Sequence, residues 1–401
     1  MGESPAHRIA FALSGLAGSN AWGAGFLHTA LSHDFRSRIE PTLISCTSGQ
    51  LYWTYVYLQL RQGRSVDGCT DIASLLKKQI EQADIVNIKV AVPGIGTIDL
   101  RDPTYLALCM AGVPQKFHVP WLENAAVSLV NWMNAIPSEL FETPRDHEIF
   151  FIRELLRTWP ATLLESDFDE GLYEEIARTI DASDIGVCFN VFQPRTGKEF
   201  VYLNDAAMKI FKNIGKELRP YDDRTTFHRF SFCKTPSDVD PVAAVRNALW
   251  VIFYGPPDQG RPIDAAYYRH VMLHELVPAD TIFVVRPIHY RWRRPLPDRF
   301  LDMLDFLTQT FLNGVYAGER RQIVVMNKLR HHFPLLKERY HHISLREIEP
   351  DAEAPADRRD PEKGFFDYVF EETSLLQASG ELTRRKFEAF LRGDPPTGLQ
   401  R

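Results

Sequence analysis

Five consecutive residues, Cys46-Thr47-Ser48-Gly49-Gln50, carry the strongest chemical signal in the chain. They close a short apolar run, Thr42-Leu43-Ile44-Ser45-Cys46, and open a helical stretch from Leu51 to Arg61. Strand, sharp turn with a central serine and helix is the setting of a nucleophile elbow. Such a turn holds the Ser48 hydroxyl at a helix N-terminus, where backbone N–H groups and the helix dipole favour a developing negative charge. The usual elbow reads G-x-S-x-G, because small outer residues let strand and helix approach. Here Cys46 and Gln50 take the outer places, and Gly49 sits one position early. The competing assignment for a serine in such a turn is a helix N-cap. Ser45 is the alternative nucleophile, although it falls inside the strand.

A serine nucleophile needs a base and a holder for the oxyanion. The holder is sought in the first turn, Ser14 to Asn20, which follows the apolar strand Arg8 to Leu13 and precedes a helix from Ala21 to Leu31. The backbone of Gly15, Leu16, Ala17 and Gly18 is the candidate oxyanion hole, and its glycines can adopt the positive φ such a loop needs. The alternative is an ordinary strand-to-helix turn. The base is sought in Gly260-Arg261-Pro262-Ile263-Asp264-Ala265-Ala266, where Asp264 lies between an apolar residue and two alanines, ahead of the next core strand. A carboxylate there could be partly buried and point back at the top of the sheet. The alternative is an aspartate that caps a turn.

The elements around these residues alternate strand and helix, which is α/β organisation. Residues 51–61 carry Tyr52, Trp53, Tyr55 and Tyr57 on most sides, so this helix is expected to be buried. Residues 87–145 are apolar but broken by repeated proline and glycine, and read as an inserted cap or lid, with plain core packing as the alternative for its aromatics. A helix is expected over 149–180. A strand over 185–191 turns at Thr196-Gly197 into a hairpin partner, 199–203. Pro241 opens a helix. Residues 281–285 are a continuous apolar strand of the parallel-sheet kind. Residues 301–336 are mostly helical with a break at Pro334, 343–348 an edge strand, 349–363 a surface loop, and 365–391 two helices broken at Gly380.

In this order the pieces resemble the patatin-like phospholipases. That family's first loop, GGGxRG with a later G-V-L, is matched by Gly15-Leu16-Ala17-Gly18-Ser19-Asn20 and Gly25-Phe26-Leu27. Its GTSAG elbow is matched by Cys46-Thr47-Ser48-Gly49-Gln50, and its DGG or DGA base motif by Asp264-Ala265-Ala266. The segment before the base resembles Asn247-Ala248-Leu249-Trp250 with Pro256-Pro257. The T-G-E hairpin resembles Gly197 with Tyr202-Leu203, and the strand after the base resembles Asp280 to Val285. The likeness spans nearly the whole chain, while each motif departs from the pattern: Ser19, Asn20 and Ala266 stand where the family has Arg, Gly and Gly.

The resemblance implies a three-layer α/β/α fold with a mainly parallel central sheet, an inserted apolar cap and a helical C-terminal part. It implies a catalytic domain over 7–290 and a mainly helical extension over 291–401. It implies a Ser48–Asp264 dyad without histidine, no cofactor and no metal, and hydrolysis of acyl esters of phospholipids or related lipids through an acyl-enzyme. A catalytically impaired binding or regulatory module, and an acyltransferase or thioesterase, are the alternatives.

Composition agrees with a globular chain: 401 residues, 45% hydrophobic and 24% charged. The net charge of −6 gives no reason to expect nucleic acid as a partner. No apolar stretch approaches the roughly 20 residues of a membrane span. Residues 1–7 show no signal-peptide pattern, and Gly2 is followed by Ala6 where a myristoylation site wants Ser or Thr. Five scattered cysteines read as reduced thiols, so a cytoplasmic protein, with peripheral contact to a membrane as a variant, is expected. His270 and His274, four apart beside Glu275, could share a helix face and hold a metal, but no third ligand is evident. The pairs His331-His332 and His341-His342 are expected in solvent, and Arg286, Arg291, Arg293, Arg294 and Arg299 in a basic loop that could meet anionic head groups. No Walker or dinucleotide fingerprint occurs.

Overall fold

The computed structural model describes residues 7–15, 19–84, 88–92, 96–100, 116–118, 165–167, 170–213, 223–232, 240–250, 260–290, 292, 296–297, 300–350 and 372–395. The first unit is β1 (Ile9–Leu13) followed by α1 (Asn20–Leu31), and the second is β2 (Pro41–Cys46) followed by α2 (Gln50–Arg61). Helix α3 (Ile72–Asp84) leads to the hairpin β3 (Ile88–Val92) and β4 (Gly96–Leu100). The short strands β5 (Lys116–His118) and β6 (Glu165–Asp167) form a separate antiparallel pair. Then come α4 (Glu170–Asp181), β7 (Gly186–Gln193), β8 (Lys198–Asn204), α5 (Asp205–Asn213), β9 (Thr225–Phe230), α6 (Pro241–Ala248), β10 (Ile263–Asp264) and β11 (Thr281–Val285). The chain closes with α7 (Phe300–His332), α8 (Pro334–Arg339), β12 (Ser344–Ile348) and α9 (Glu372–Leu391).

These strands build an eight-stranded sheet in the order β12-β11-β1-β2-β7-β8-β9, with β10 paired to β7. From β12 to β7 every neighbour is parallel, as βα units require; the β7–β8 hairpin is antiparallel and β9 pairs parallel to β8. The fold is therefore α/β with a mostly parallel central sheet flanked by helices and a helical C-terminal part. Alternate residues of β1 face opposite layers. Phe11 and Leu13 join α1, α2 and α9 on one side, whereas Ala10 and Ala12 join Val271, Met272 and Leu276 on the other. Residues 51–60 of α2 are all buried.

Close helix approach explains several small residues. A Cβ on Gly25 would lie 2.2 Å from the backbone oxygen of Leu376, so α1 and α9 can meet here only with glycine. Thr29 Oγ1 donates to the backbone oxygens of Gly25 and Gly380, at 3.1 and 3.2 Å. Gly380 thus does not separate a pair of helices. It sits inside the single helix α9, at the crossing with α1, and its value is lack of bulk rather than turn-forming freedom.

Other expectations shift as well. Glu165–Asp167, expected within a helix, is strand β6. The remainder of the 87–145 cap outside β3, β4 and β5, the 149–164 segment and residues 351–363 lie outside the described residues. Pro334 breaks the long helix as expected, by opening α8 at its first position. Arg286 is not in a solvated loop: it is fully buried at the end of β11, bonded to Glu349 and Asn313 and stacked on the Tyr316 ring at 3.8 Å. His341 contacts the Ala279 carbonyl oxygen at 2.8 Å and is only partly exposed, unlike the solvent-facing His331 and His332. His270 and His274 do not share a helix face, because His270 lies in an irregular segment and His274 begins a single 3₁₀ turn.

Candidate active site

Ser48 lies two residues after β2 and two before α2. Its φ is +57°, a left-handed backbone that a residue with a Cβ adopts only under constraint. This strained backbone is the geometric mark of the elbow. The N-cap assignment does not hold for Ser48: the cap position of α2 is Gly49, and no side chain caps it. The Ser48 hydroxyl instead lies close enough to the Asp264 carboxylate to favour its ionised form.

Asp264 ends the short strand β10, which pairs with Val191 and Phe192 of β7. This pairing carries the aspartate to the C-terminal edge of the sheet, where the β2 turn also emerges. Its backbone N–H donates to the Trp250 carbonyl at 3.1 Å, and its Oδ1 accepts from Ala266 N at 2.8 Å. Asp264 therefore caps the following turn and faces Ser48 at once. The residue is buried, and loss of water pushes its carboxyl up to about 7, against the lowering influence of the nearby Ser48 hydroxyl and the Ala266 hydrogen bond. A carboxyl poised there is half ionised near neutrality, as a general base requires.

The first turn packs on the elbow. A Cβ on Gly15 would fall 1.9 Å from the Thr47 carbonyl oxygen and 2.6 Å from Ser48 Cβ, so no side chain fits. The Gly15 N–H already donates to the His270 carbonyl oxygen at 3.2 Å. Gly15 thus serves as a packing surface for the elbow, and its amide is not the oxyanion donor expected from the sequence. Leu16, Ala17 and Gly18, the other members of that expected set, lie outside the described residues.

The departures at 20 and 50 are coupled. The Gln50 side-chain amide donates to the backbone oxygen and to Oδ1 of Asn20, at 3.0 and 3.1 Å. Room for Gln50 comes from Gly23, where a Cβ would lie 2.0 Å from Gln50 Oε1. Close approach of the two N-terminal helix turns is thus retained, with the glycine on α1 instead of α2. At the other outer position, Cys46 is buried, its thiol pushed up to about 12 by loss of water and directed at the Cys188 carbonyl. It is a packing residue. Ser45 Oγ donates to the Met272 carbonyl at 2.7 Å, which occupies the alternative nucleophile.

Sequence reasoning missed a polar chain behind the elbow. The Thr47 hydroxyl donates to Asn190 Oδ1 at 3.0 Å. Asn190 Nδ2 donates to Glu199 Oε1 at 2.7 Å and to the Arg269 carbonyl at 3.1 Å. Arg269 Nε lies 3.0 Å from Glu199 Oε1, and its other nitrogens reach Glu275 and Glu319. All of these side chains are buried. The visible signal was an asparagine in the middle of the largely apolar strand Gly186–Gln193.

Among the described residues no group of three His, Cys, Asp or Glu side chains could hold a metal ion, and no helix is long and apolar enough to cross a membrane. No protein-family model and no curated protein matches the chain.

Proposed function

We propose that this protein is a serine hydrolase of the patatin type that cleaves acyl esters of phospholipids or related lipids through a Ser48–Asp264 dyad. The observation that carries the reading is the strained Ser48 backbone facing a buried carboxyl poised near neutral pH. Ionised Asp264 takes the Ser48 proton as Oγ attacks the ester carbonyl carbon. The tetrahedral intermediate collapses, the C–O bond to the leaving alcohol breaks, and Asp264 returns the proton to that alkoxide. Water then attacks the acyl-enzyme, again losing its proton to Asp264, and the fatty acid leaves as Ser48 is regenerated. The reading gives His270 no role: both its ring nitrogens lack partners among the described residues, and burial pushes its imidazole down to about 3.

The test is labelling with a fluorophosphonate probe, alongside hydrolysis of short p-nitrophenyl esters. Wild-type protein is expected to label at Ser48 and to turn over ester, and Ser48→Ala to do neither while melting normally. Equal labelling of the two proteins would reject the elbow assignment. A wild-type protein that neither labels nor hydrolyses would favour a binding or regulatory module on the same fold. Product analysis with an added alcohol acceptor separates hydrolysis from acyl transfer.

A further inference from the structure

We infer that Thr47 and Asn190 are positioning residues that hold the nucleophile and base segments in one register. The inference rests on the Ser48–Asp264 reading above and adds to it the device that fixes the pair. Ser48 occupies a backbone well that a side-chain-bearing residue leaves unless neighbours over-determine it. Its preceding residue is Thr47, whose hydroxyl is committed to Asn190 Oδ1. The amide end of the same asparagine binds the Arg269 carbonyl, five residues beyond Asp264. Val191, next to Asn190, is the β-pairing partner of Asp264. One side chain thus ties the residue before the nucleophile to the segment after the base.

Asparagine is chemically required there, because the site needs an acceptor towards Thr47 and donors towards Glu199 and Arg269. The carboxylate of Glu199 fixes which way the amide points, and Thr225 Oγ1 at 3.2 Å and Arg269 fix the carboxylate. Each member of the chain is therefore oriented by the next, and the anchor is a guanidinium among three glutamates. Burial pushes the Glu275 carboxyl above its usual range, against the lowering influence of the Arg269 guanidinium beside it.

The experiment compares Thr47→Val, which keeps the shape and deletes the hydroxyl, with Thr47→Ser, which keeps the hydroxyl. Full-length proteins are read by kcat and KM on a p-nitrophenyl ester and by fluorophosphonate labelling rate, each normalised to the folded fraction from a thermal melt. Thr47→Val is expected to lower kcat and labelling rate 10- to 100-fold, on the order of what slight misplacement of a reacting group costs, with KM within about twofold. Thr47→Ser should stay within about threefold of wild type, because it restores the bond. Thr47→Val combined with Asn190→Ala should be no slower than Asn190→Ala alone, since both remove one link. Undiminished kcat and labelling in folded Thr47→Val would overturn the positioning role while leaving the dyad standing. So would a Thr47→Ser protein as slow as Thr47→Val, which would make the effect one of packing. A wild-type protein that fails to label removes the dyad and this inference together.

Discussion

The two layers against the central sheet are built differently. The layer holding α1, α2 and α9 is packed with rings: Phe11, Phe26, Phe283 and Phe387 meet edge-on or tilted, with centroids 4.7–6.3 Å apart, beside Trp22 and Trp53. The opposite layer carries the 269–276 segment and α7, and buried charge gathers there: Arg269, Glu199, Glu275, Glu319 and Arg286. Apolar packing is nondirectional and supplies stability; hydrogen-bonded charge adds little net stability but fixes direction. The candidate site sits where the second kind of order reaches the sheet's C-terminal edge.

The sharpest way to separate the two kinds is Asp264→Asn. Turnover should fall by at least about 1000-fold, because asparagine cannot accept the Ser48 proton. Stability should move the other way. The folded carboxyl holds its proton up to about pH 7, whereas an aspartate in the unfolded chain ionises near pH 4. Between those values the unfolded chain binds fewer protons, so wild-type stability declines as pH rises. The Asn variant escapes that decline and should melt about 1–3 °C higher at pH 8, with the gain shrinking towards pH 4. Wild-type kcat/KM should climb with pH through a midpoint near 7. A pH-independent rate between 5 and 8 would contradict Asp264 as the base.

Truncation on the ring-packed side should do the reverse. Phe387→Ala removes a fully buried ring contacting Phe26, Phe35 and Phe283, and should cost about 3–5 kcal/mol in denaturant unfolding. Turnover per folded molecule should stay unchanged; a kcat loss above about fivefold would mean that the layers are not separable. On the charged side, Arg269→Leu strands the carboxylates it pairs and should cost a similar amount, about 3–5 kcal/mol.

A smaller effect tests the exchange at the helix starts. Gly23→Ala should displace the Gln50 amide from Asn20 and destabilise the protein. In a Gln50→Ala background the same change should be nearly silent, giving a coupling of about 0.5–3 kcal/mol. Additive costs would show that the two positions do not communicate.

The order of strands and helices was legible because each βα unit writes its own local pattern: the apolar runs at 9–13, 41–46 and 281–285 are strands of the sheet. Ser48 was legible from strand–turn–helix context, and Asp264 from a polar residue placed among apolar ones. What was not legible depends on distant partners. Gly380 looks like a helix stop until α1 is seen against it, and Arg286 looks like a surface cation until Tyr316 and Glu349 enclose it. Asn190 shows only a polar letter in a largely apolar strand. Its meaning lies in Thr47, Glu199 and Arg269, which are 143, 9 and 79 residues away along the chain.

The crossing of α1 and α9 sets a schedule for biosynthesis. Thr29 meets Gly380 and Trp22 meets Ser379 across separations of 351 and 357 residues. Strand β1 likewise borders β11, about 270 residues later in the chain, on the side away from β2. A ribosome adding roughly 5–20 residues per second would leave the groove of α1 without its partner for about 20–70 s after α1 emerges. Helix α1 is therefore made long before the helix that covers it. During that interval the nascent chain presents Trp22, Phe26 and their neighbours to the solvent.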